Sequence, residues 1–259
     1  MSRLIDKLKK SYQDAIPSIG FKTRTDSESN QNMPFIVSLS SKNFTLIPDI
    51  LTLEIDALLL QISDNDDTEN IFTSLSNEKT NIPWGLRMNN FSDEQIDQYM
   101  KAGCDFIIFE AEAAPVSCIE QEKMGKLLII NQSFPDELIE TAGQLPIDAI
   151  VFDLQKETRP SIMHLMLCQY YAELTDKPLF SIVSTEIDAS MLEVLHKYGV
   201  DGIITEIRTK SSLKQLIDFR QRLNKLPPVK DRRKRQRLTP FLGAPSSTAS
   251  DDEYEEEEF

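Results

Sequence analysis

The stretch IDAIVFD, Ile147–Asp153, holds an aspartate, an apolar run and a final carboxylate. The same order recurs at 55–61 (IDALLLQ), 104–110 (CDFIIFE) and 200–206 (VDGIITE). Apolar runs of this length between polar ends are typical of parallel strands that are covered on both faces. We interpret the four copies as equivalent strands of a repeated fold.

Four more apolar runs alternate with these copies: FIVSLS from Phe35, WGLRM from Trp84, LLIINQ from Leu127 and LFSIVS from Leu179. Amphipathic helical segments fit between the runs, and one of them carries a capping-box pattern at Ser92 and Gln95 and a stop at Gly103. Eight strand–helix units predict an α/β protein with a (β/α)8 TIM-like barrel. An open doubly wound sheet is the alternative, but it usually has fewer strands and a glycine-rich nucleotide turn, which is absent here.

Three segments are predicted: an amphipathic N-terminal helix over 1–15, the barrel over 16–226 and a disordered polyampholyte tail over 227–259. The helix has apolar residues at helical spacing and is expected to pack on the barrel, with a membrane-surface anchor as the alternative. No apolar run approaches the length of a membrane span.

Charge and cysteine content narrow the function classes. The net charge of -14 makes nucleic acid an unfavourable partner for the barrel, because phosphates would be repelled. The chain contains three widely spaced cysteines, Cys104, Cys118 and Cys168, which form neither a metal motif nor a disulfide framework. A reducing, cytoplasmic location is the simplest interpretation.

The tail separates its charges into a basic block, KDRRKRQR (Lys230–Arg237), and an acidic end, DDEYEEEEF (Asp251–Phe259). One interpretation is a solvated polyampholyte whose ends attract each other, and another is contact of the basic block with RNA or anionic lipid. The acidic end resembles the phenylalanine-terminated tips of bacterial single-stranded-DNA-binding proteins, which dock on partner proteins. That resemblance implies a protein partner for the acidic end, and we predict that residues 230–259 together form the partner-binding segment.

The alternation of side chains along each strand predicts where the polar residues of the repeat lie, and so predicts a candidate site. Side chains at odd offsets from each aspartate share one face, and the bulkier even-offset set suits the helix-facing outside. The last odd-offset residues, Gln61, Glu110, Asp153 and Glu206, are therefore expected to point inward and to form one layer at the C-terminal mouth. Glu110, Asp153 and Glu206 are candidate catalytic residues.

Three carboxylates in one desolvated layer need a compensating partner. A divalent cation, for which oxygen ligands favour Mg²⁺, Ca²⁺ or Mn²⁺, is one solution, and a shared proton is another. The third is an internal ion pair with Arg87, a further catalytic candidate that also suits a small anionic ligand. Gln61, Lys42, Asn131, Lys156 and Arg208 are the candidate substrate-binding residues.

The last strand, YGVDGIITEI (Tyr198–Ile207), resembles the final strand of glycerophosphodiester phosphodiesterases, which are metal-dependent barrels. The resemblance implies a barrel end that finishes in an acidic residue, here Glu206, and does not extend to that family's hydrolysis. That family also has a His-Arg-Gly element on its first strand, where this chain has FIVSLSSK, and a second catalytic histidine. Here the two histidines, His164 and His196, fall in predicted helices.

Other barrel chemistries lack their signatures. The turns after strands seven and eight contain no glycine for a phosphate or flavin phosphate, and zinc-ligand spacing is absent. No predicted strand core contains a lysine for a Schiff base. Trp84, Phe106, Met163 and Met166 are predicted to be core residues.

Two functional hypotheses follow. The first is a degenerate, non-catalytic barrel that acts as a binding or scaffold protein. The second is a small-molecule enzyme, a lyase or hydrolase, that uses the mouth carboxylates with a metal or by acid–base chemistry. The sequence leaves the cofactor open.

Overall fold

The computed structural model describes residues 2–13, 33–62, 75, 81–87, 92–154, 160–175, 177–209 and 212–226. Its centre is a closed barrel of eight parallel strands in sequential order. The (β/α)8 fold is therefore confirmed, and each predicted apolar run lies in a strand. The strands are β1 (Phe35–Ser40), β2 (Ala57–Gln61), β3 (Trp84–Arg87), β4 (Phe106–Glu110), β5 (Gly125–Ile130), β6 (Ala149–Asp153), β7 (Leu179–Val183) and β8 (Gly202–Ile207).

Helices surround this barrel. The first is α1 (Arg3–Gln13), and a 3-10 helix, Ser41–Leu46, follows β1. The other helices of the described residues are α2 (Ile47–Leu51), α3 (Asp93–Lys101), α4 (Ser117–Glu120), α5 (Asp136–Gln144), α6 (Ile162–Leu174), α7 (Ala189–Lys197) and α8 (Ser212–Asn224). The predicted capping box begins α3, where Ser92 and Gln95 exchange both hydrogen bonds, and Gly103 follows the helix at a φ of 92°.

The buried apolar residues form two separate clusters. The larger cluster lies between the strands and the helices and contains the outward-facing residues of the strands. The smaller cluster fills the barrel interior with the alternate residues, among them Leu59, Ile108, Val151 and Ile204. The predicted parity is therefore correct, because the odd-offset residues of the repeat point inward.

Small and large side chains alternate in the lower part of the barrel interior. A methyl group at Gly85 would collide with the ring and the carbonyl oxygen of Phe106, and one at Gly202 would collide with the Phe180 ring. Both rings are fully buried. The two glycines therefore provide the volume that the two aromatic rings occupy in a close-packed interior.

Helix α1 closes the N-terminal end of the barrel. Leu4, Ile5 and Leu8 are buried and belong to the interior cluster, not to the outer one. Ile5 also reaches Gly125 at the start of β5, where a larger residue would collide with it. The predicted amphipathic helix is confirmed over Arg3–Gln13, and its apolar face inserts into the barrel.

The repeated aspartates have a structural role at the same end. The Asp56, Asp148 and Asp201 carboxylates each accept a 2.9 Å hydrogen bond from a backbone N–H at the start of the preceding strand, that of its first or second residue. Asp105, the fourth copy, accepts instead from the Ser2 hydroxyl and from the N–H groups of Arg3 and Leu4. The aspartate of the repeat thus links two neighbouring strands in three copies, and in the fourth copy it binds the N-terminus of α1.

Two sequence predictions are wrong. Met163 and Met166 are exposed on α6 and are not core residues, although Trp84 and Phe106 are. The prediction that no strand core contains a lysine is also wrong, because Lys126 lies within β5 and is buried. It faces the helices, and its ammonium donates a 3.0 Å hydrogen bond to the Ile119 carbonyl. Its direction is opposite to the one that a Schiff-base lysine in the barrel interior requires.

Other predictions fall beyond the described residues. The boundary at residue 15 and the tail over 227–259 lie there. Within the described ranges, none of the helices combines the length and the apolar character that crossing a membrane requires.

Candidate functional site

The four repeat-end residues form one layer at the C-terminal mouth, as predicted. The strand pairings connect Gln61 with Ile108, Glu110 with Val151, Asp153 with Ile204, and Glu206 with Leu59, two strands further in each case. Each of these partners lies two residues before the next member of the layer. The register thus shifts by two residues from each member of the layer to the next. This regular stagger is how alternate strands of a TIM barrel place four side chains at one height.

Arg87 lies just beneath this layer. It is level in the strand register with Gln61 on β2 and with Ile108 on β4, and both of these neighbours belong to the inward-facing set. The Arg87 residue is half-buried. The permanently charged guanidinium of Arg87 is therefore directed into the mouth between Gln61 and Glu110. This is the direction that the alternation of side chains along the strand predicted.

Two of the three carboxylates are less desolvated than the sequence suggested. Glu110 and Asp153 end their strands as exposed residues, and only 13% of the Glu206 side chain is exposed. Water screens exposed charges, so the exposure of Glu110 and Asp153 weakens the repulsion that a compensating partner was expected to relieve. The apolar layer immediately below, Leu59, Ile108, Val151 and Ile204, closes the floor of the opening.

Two contacts occupy part of the layer. The guanidinium of Arg208 binds the Glu206 carboxylate at 3.0 Å, and 70% of the Arg208 side chain is exposed. The Gln61 amide donates a 2.9 Å hydrogen bond to the Ser38 hydroxyl on the adjacent strand. Arg208, predicted as a substrate-binding residue, thus provides the counter-charge that was expected of Arg87.

The remaining candidates contribute less to the mouth. Lys42 is exposed in the 3-10 helix after β1. The side-chain oxygen of Asn131 accepts hydrogen bonds from the N–H and the hydroxyl of Ser133, so that it stabilises its own turn. Lys156 lies outside the described residues.

Metal ligation at the mouth finds no support in the described geometry. Among the residues that the structure describes, no three His, Cys, Asp or Glu side chains are grouped so that they could hold a metal ion. His164 belongs to α6, where its Nδ1 lies 3.0 Å from the Ser161 amide nitrogen, and the His196 Nδ1 on α7 lies 3.1 Å from the Val200 carbonyl oxygen. Both histidines thus lie in outer helices, and neither takes the place that the phosphodiesterase resemblance requires.

A second surface was not anticipated from the sequence. Helix α6 exposes four large side chains at helical spacing, Ile162, Met163, Met166 and Tyr170, with exposed fractions of 76%, 60%, 62% and 38%. We call this set the α6 face. The helix is apolar around most of its circumference, since Cys168 and Tyr171 are buried on its other side. Such helices are usually buried, which is why the sequence predicted core positions for both methionines.

Acidic residues border the α6 face. A hydrogen bond with Asp136 raises the pKa of the Tyr170 phenol, and the negative charges of Asp136, Glu137 and Glu140 raise it further. These three carboxylates are exposed on α5, the neighbouring helix. We call them the acidic edge. An apolar strip beside a negative border is thus presented to solvent.

The comparisons with known proteins agree on the architecture. A mutant tryptophan synthase α-subunit from Pyrococcus furiosus matches with a TM-score of 0.55 and 15% identity, over 75% of this chain and 98% of that chain. A cube-shaped, highly porous protein cage, designed by fusing symmetric oligomeric domains, matches with a TM-score of 0.56 and 13% identity, over 74% and 70% of the two chains. At these identities the similarity establishes the TIM-barrel fold. No family model and no curated protein matches the sequence.

Proposed function

We propose that this protein is a non-catalytic TIM-barrel binding protein that presents the α6 face to a partner protein. The observation that carries the proposal is the exposure of Ile162, Met163, Met166 and Tyr170 on one side of α6. Contiguous exposed apolar surface of this kind is a hallmark of protein–protein contact sites. Met and Tyr are also among the residue types that are enriched at interfaces.

The chemistry of the face indicates what the partner offers. Burial of each large apolar side chain contributes about 1.5–3 kcal/mol, so the partner needs an apolar strip of its own. The acidic edge favours basic groups beside that strip. Methionine side chains are flexible and polarizable, which suits a surface that adapts to the shape of its partner.

The mouth is consistent with this role. Its Glu206 carboxylate is paired with Arg208, and its Gln61 amide is bonded to Ser38.

The tail over 230–259 is proposed as a second element that recruits protein partners, and the location is proposed to be cytoplasmic. Neither statement depends on the α6 face.

The test compares two variants of the full-length chain. Met163→Lys together with Met166→Lys places cations on the α6 face, whereas Val116→Lys changes an apolar residue just before α4 that is 83% exposed. A partner captured by the wild-type chain and then purified is expected to bind the Val116→Lys variant normally. Its affinity for the double variant should fall by about tenfold or more.

Two results would count against the proposal. One is a purified partner that binds the double variant and the wild-type chain equally. The other is loss of affinity in both variants, which would indicate a nonspecific effect of charge. Circular dichroism of both variants establishes that they are folded.

A second candidate function is supported by the mouth layer. Arg87 lies beneath the four polar residues at the C-terminal end, where TIM barrels bind their substrates. A small anionic molecule held by Arg87, with Glu110 or Asp153 as acid–base group, is the enzymatic alternative. Mg²⁺ belongs to this alternative as a possible cofactor.

A thermal-shift panel of small carboxylates and phosphates, with and without Mg²⁺, tests this alternative. A ligand at 100 times its Kd stabilises the fold by about 2.7 kcal/mol, or roughly 5–10 °C for a domain of this size. Arg87→Met should abolish that shift and Lys42→Met should not. No shift with any member of the panel would count against a mouth site for these ligand classes.

A further inference from the structure

We infer that the α6 face is the binding site for a segment of this same chain, Arg232–Leu242, which follows the last described helix. The segment reads RRKRQRLTPFL, five cations followed by three large apolar residues, Leu238, Phe241 and Leu242. Its basic and apolar halves complement the two parts of the surface, the acidic edge and the apolar strip.

Charge complementarity favours this segment over other occupants. Asp136, Glu137 and Glu140 are exposed along α5, and Glu173 is exposed near the end of α6. The block Lys230–Arg237 is the densest run of cations in the chain. Electrostatic attraction orients the segment, and burial of its apolar residues against Met163 and Met166 supplies the larger free-energy gain.

The segment is long enough to reach the face. Helix α7 lies between α8 and α6, since Gly199 at its end touches Ala172 and Cys168 of α6, and α7 also packs against α8. Two helix spacings amount to about 20 Å, and α6 itself is about 20 Å long. The chain from Leu226 to Leu238 spans up to about 40 Å when extended, which exceeds both distances combined at a right angle.

A second copy of the chain is a poorer occupant. Two α6 faces that meet would bring two acidic edges together, and each chain carries a net charge of -14. Like charges placed against each other at an interface oppose association. The same segment in the same chain also benefits from a high effective concentration, in the millimolar range for a short connection.

Occupancy of the α6 face by Arg232–Leu242 implies regulation. A partner protein that uses the face has to displace the segment. Its apparent affinity is therefore reduced in proportion to the fraction of chains in which the segment is not bound to the face. This consequence rests on the proposed function. The contact between the segment and the face does not, because it is defined within one chain.

The experiment places a photo-crosslinking residue, p-benzoylphenylalanine, at Met166 of the full-length chain and maps the products by mass spectrometry. The control carries the same residue at Val116, which is exposed in the turn before α4. We expect crosslinks from position 166 to residues 232–242 within one chain, with a yield about fivefold or more above that from position 116. Reversal of four cations, Arg232→Glu, Arg233→Glu, Lys234→Glu and Arg235→Glu, should remove the excess.

The opposing outcomes are distinct. Covalent dimers as the main product would assign the face to a second copy and overturn the inference. Equal yields at positions 166 and 116, or an excess that survives the charge reversal, would also overturn it. Binding of a separate partner is measured with the methionine variants described above. Failure of the crosslink would therefore leave the proposed partner site intact, and failure of partner binding would leave the contact between the segment and the α6 face intact.

Discussion

The Ser2 hydroxyl donates a 2.7 Å hydrogen bond to the Asp105 carboxylate across a separation of 103 residues. The backbone N–H groups of Arg3 and Leu4 donate to the same carboxylate at 2.8 and 3.0 Å. A carboxylate at a helix N-terminus satisfies N–H groups that have no partner within the helix and interacts favourably with the helix dipole. Asp105 thus joins the entry to β4 with the helix that closes the barrel.

Asp105→Ala is expected to destabilise the fold by about 2–4 kcal/mol, because buried donors lose a charged acceptor. Thermal unfolding should shift by roughly 2–4 °C per kcal/mol for a domain of this size. Asp97→Asn, on the exposed side of α3, removes a similar charge without these bonds and should leave the melting temperature within about 1 °C. Equal melting of the two variants would contradict the role of Asp105.

The same substitution should have opposite effects at two glycines. Gly202→Ala places a methyl group in the space of the Phe180 ring and should cost about 1–3 kcal/mol. Gly143→Ala lies within α5, where the nearest atom, Cγ2 of Thr175, is 3.6 Å from the new methyl group. Here the gain in helix propensity should stabilise the protein by about 0.5–1 kcal/mol. Urea denaturation measures both changes, and destabilisation by Gly143→Ala would contradict the packing described for α5.

The cysteines should be unreactive in the folded protein. Burial raises the pKa of the Cys118 thiol to about 11 and that of Cys168 to about 12, and it raises the pKa of Cys104 as well. All three thiols are therefore protonated at pH 8, and the thiolate is the reactive form. Ellman's reagent should label them slowly in native buffer and rapidly in urea. Rapid labelling of any of the three in native buffer would show that its burial is not maintained.

The same pKa shifts give the stability a pH dependence of known sign. Above pH 9.0, the ordinary pKa of a thiol, the unfolded chain releases these protons while the folded chain retains them. The contribution of Cys168 is therefore complete below pH 9.0 and is lost as the pH rises toward about 12. The unfolding free energy of Cys168→Ala should fall less steeply between pH 8 and 10 than that of the wild type. Parallel curves would contradict the assignment.

The ion pair at the mouth should contribute little stability. Arg208 binds Glu206 at 3.0 Å but is largely exposed, and exposed pairs contribute about 0–1 kcal/mol. Arg208→Ala should therefore lower the melting temperature by no more than about 4 °C. A larger loss would indicate that Arg208 also supports the barrel, and it would make this residue unsuitable as a site that is free to bind ligands.

Much of the barrel was predictable from the sequence because strands and helices have different periods. The eight apolar runs, the parity of IDAIVFD and the rise between alternate strands are consequences of local chain geometry. These rules placed Gln61, Glu110, Asp153 and Glu206 in one layer before any contact was known, and they gave the direction of Arg87 correctly.

Other properties depend on which elements meet in three dimensions. The sequence does not show whether the apolar helix α6 is covered, and its methionines were wrongly predicted as core because coverage depends on neighbouring elements. The bonds of Asp105 to α1 and of Glu206 to Arg208 likewise require the folded chain. Periodicity by itself determined the barrel and the inward direction of its polar layer, since backbone geometry fixes both. Exposure and pairing were decided by tertiary structure, because they arise from contacts between distant parts of the chain.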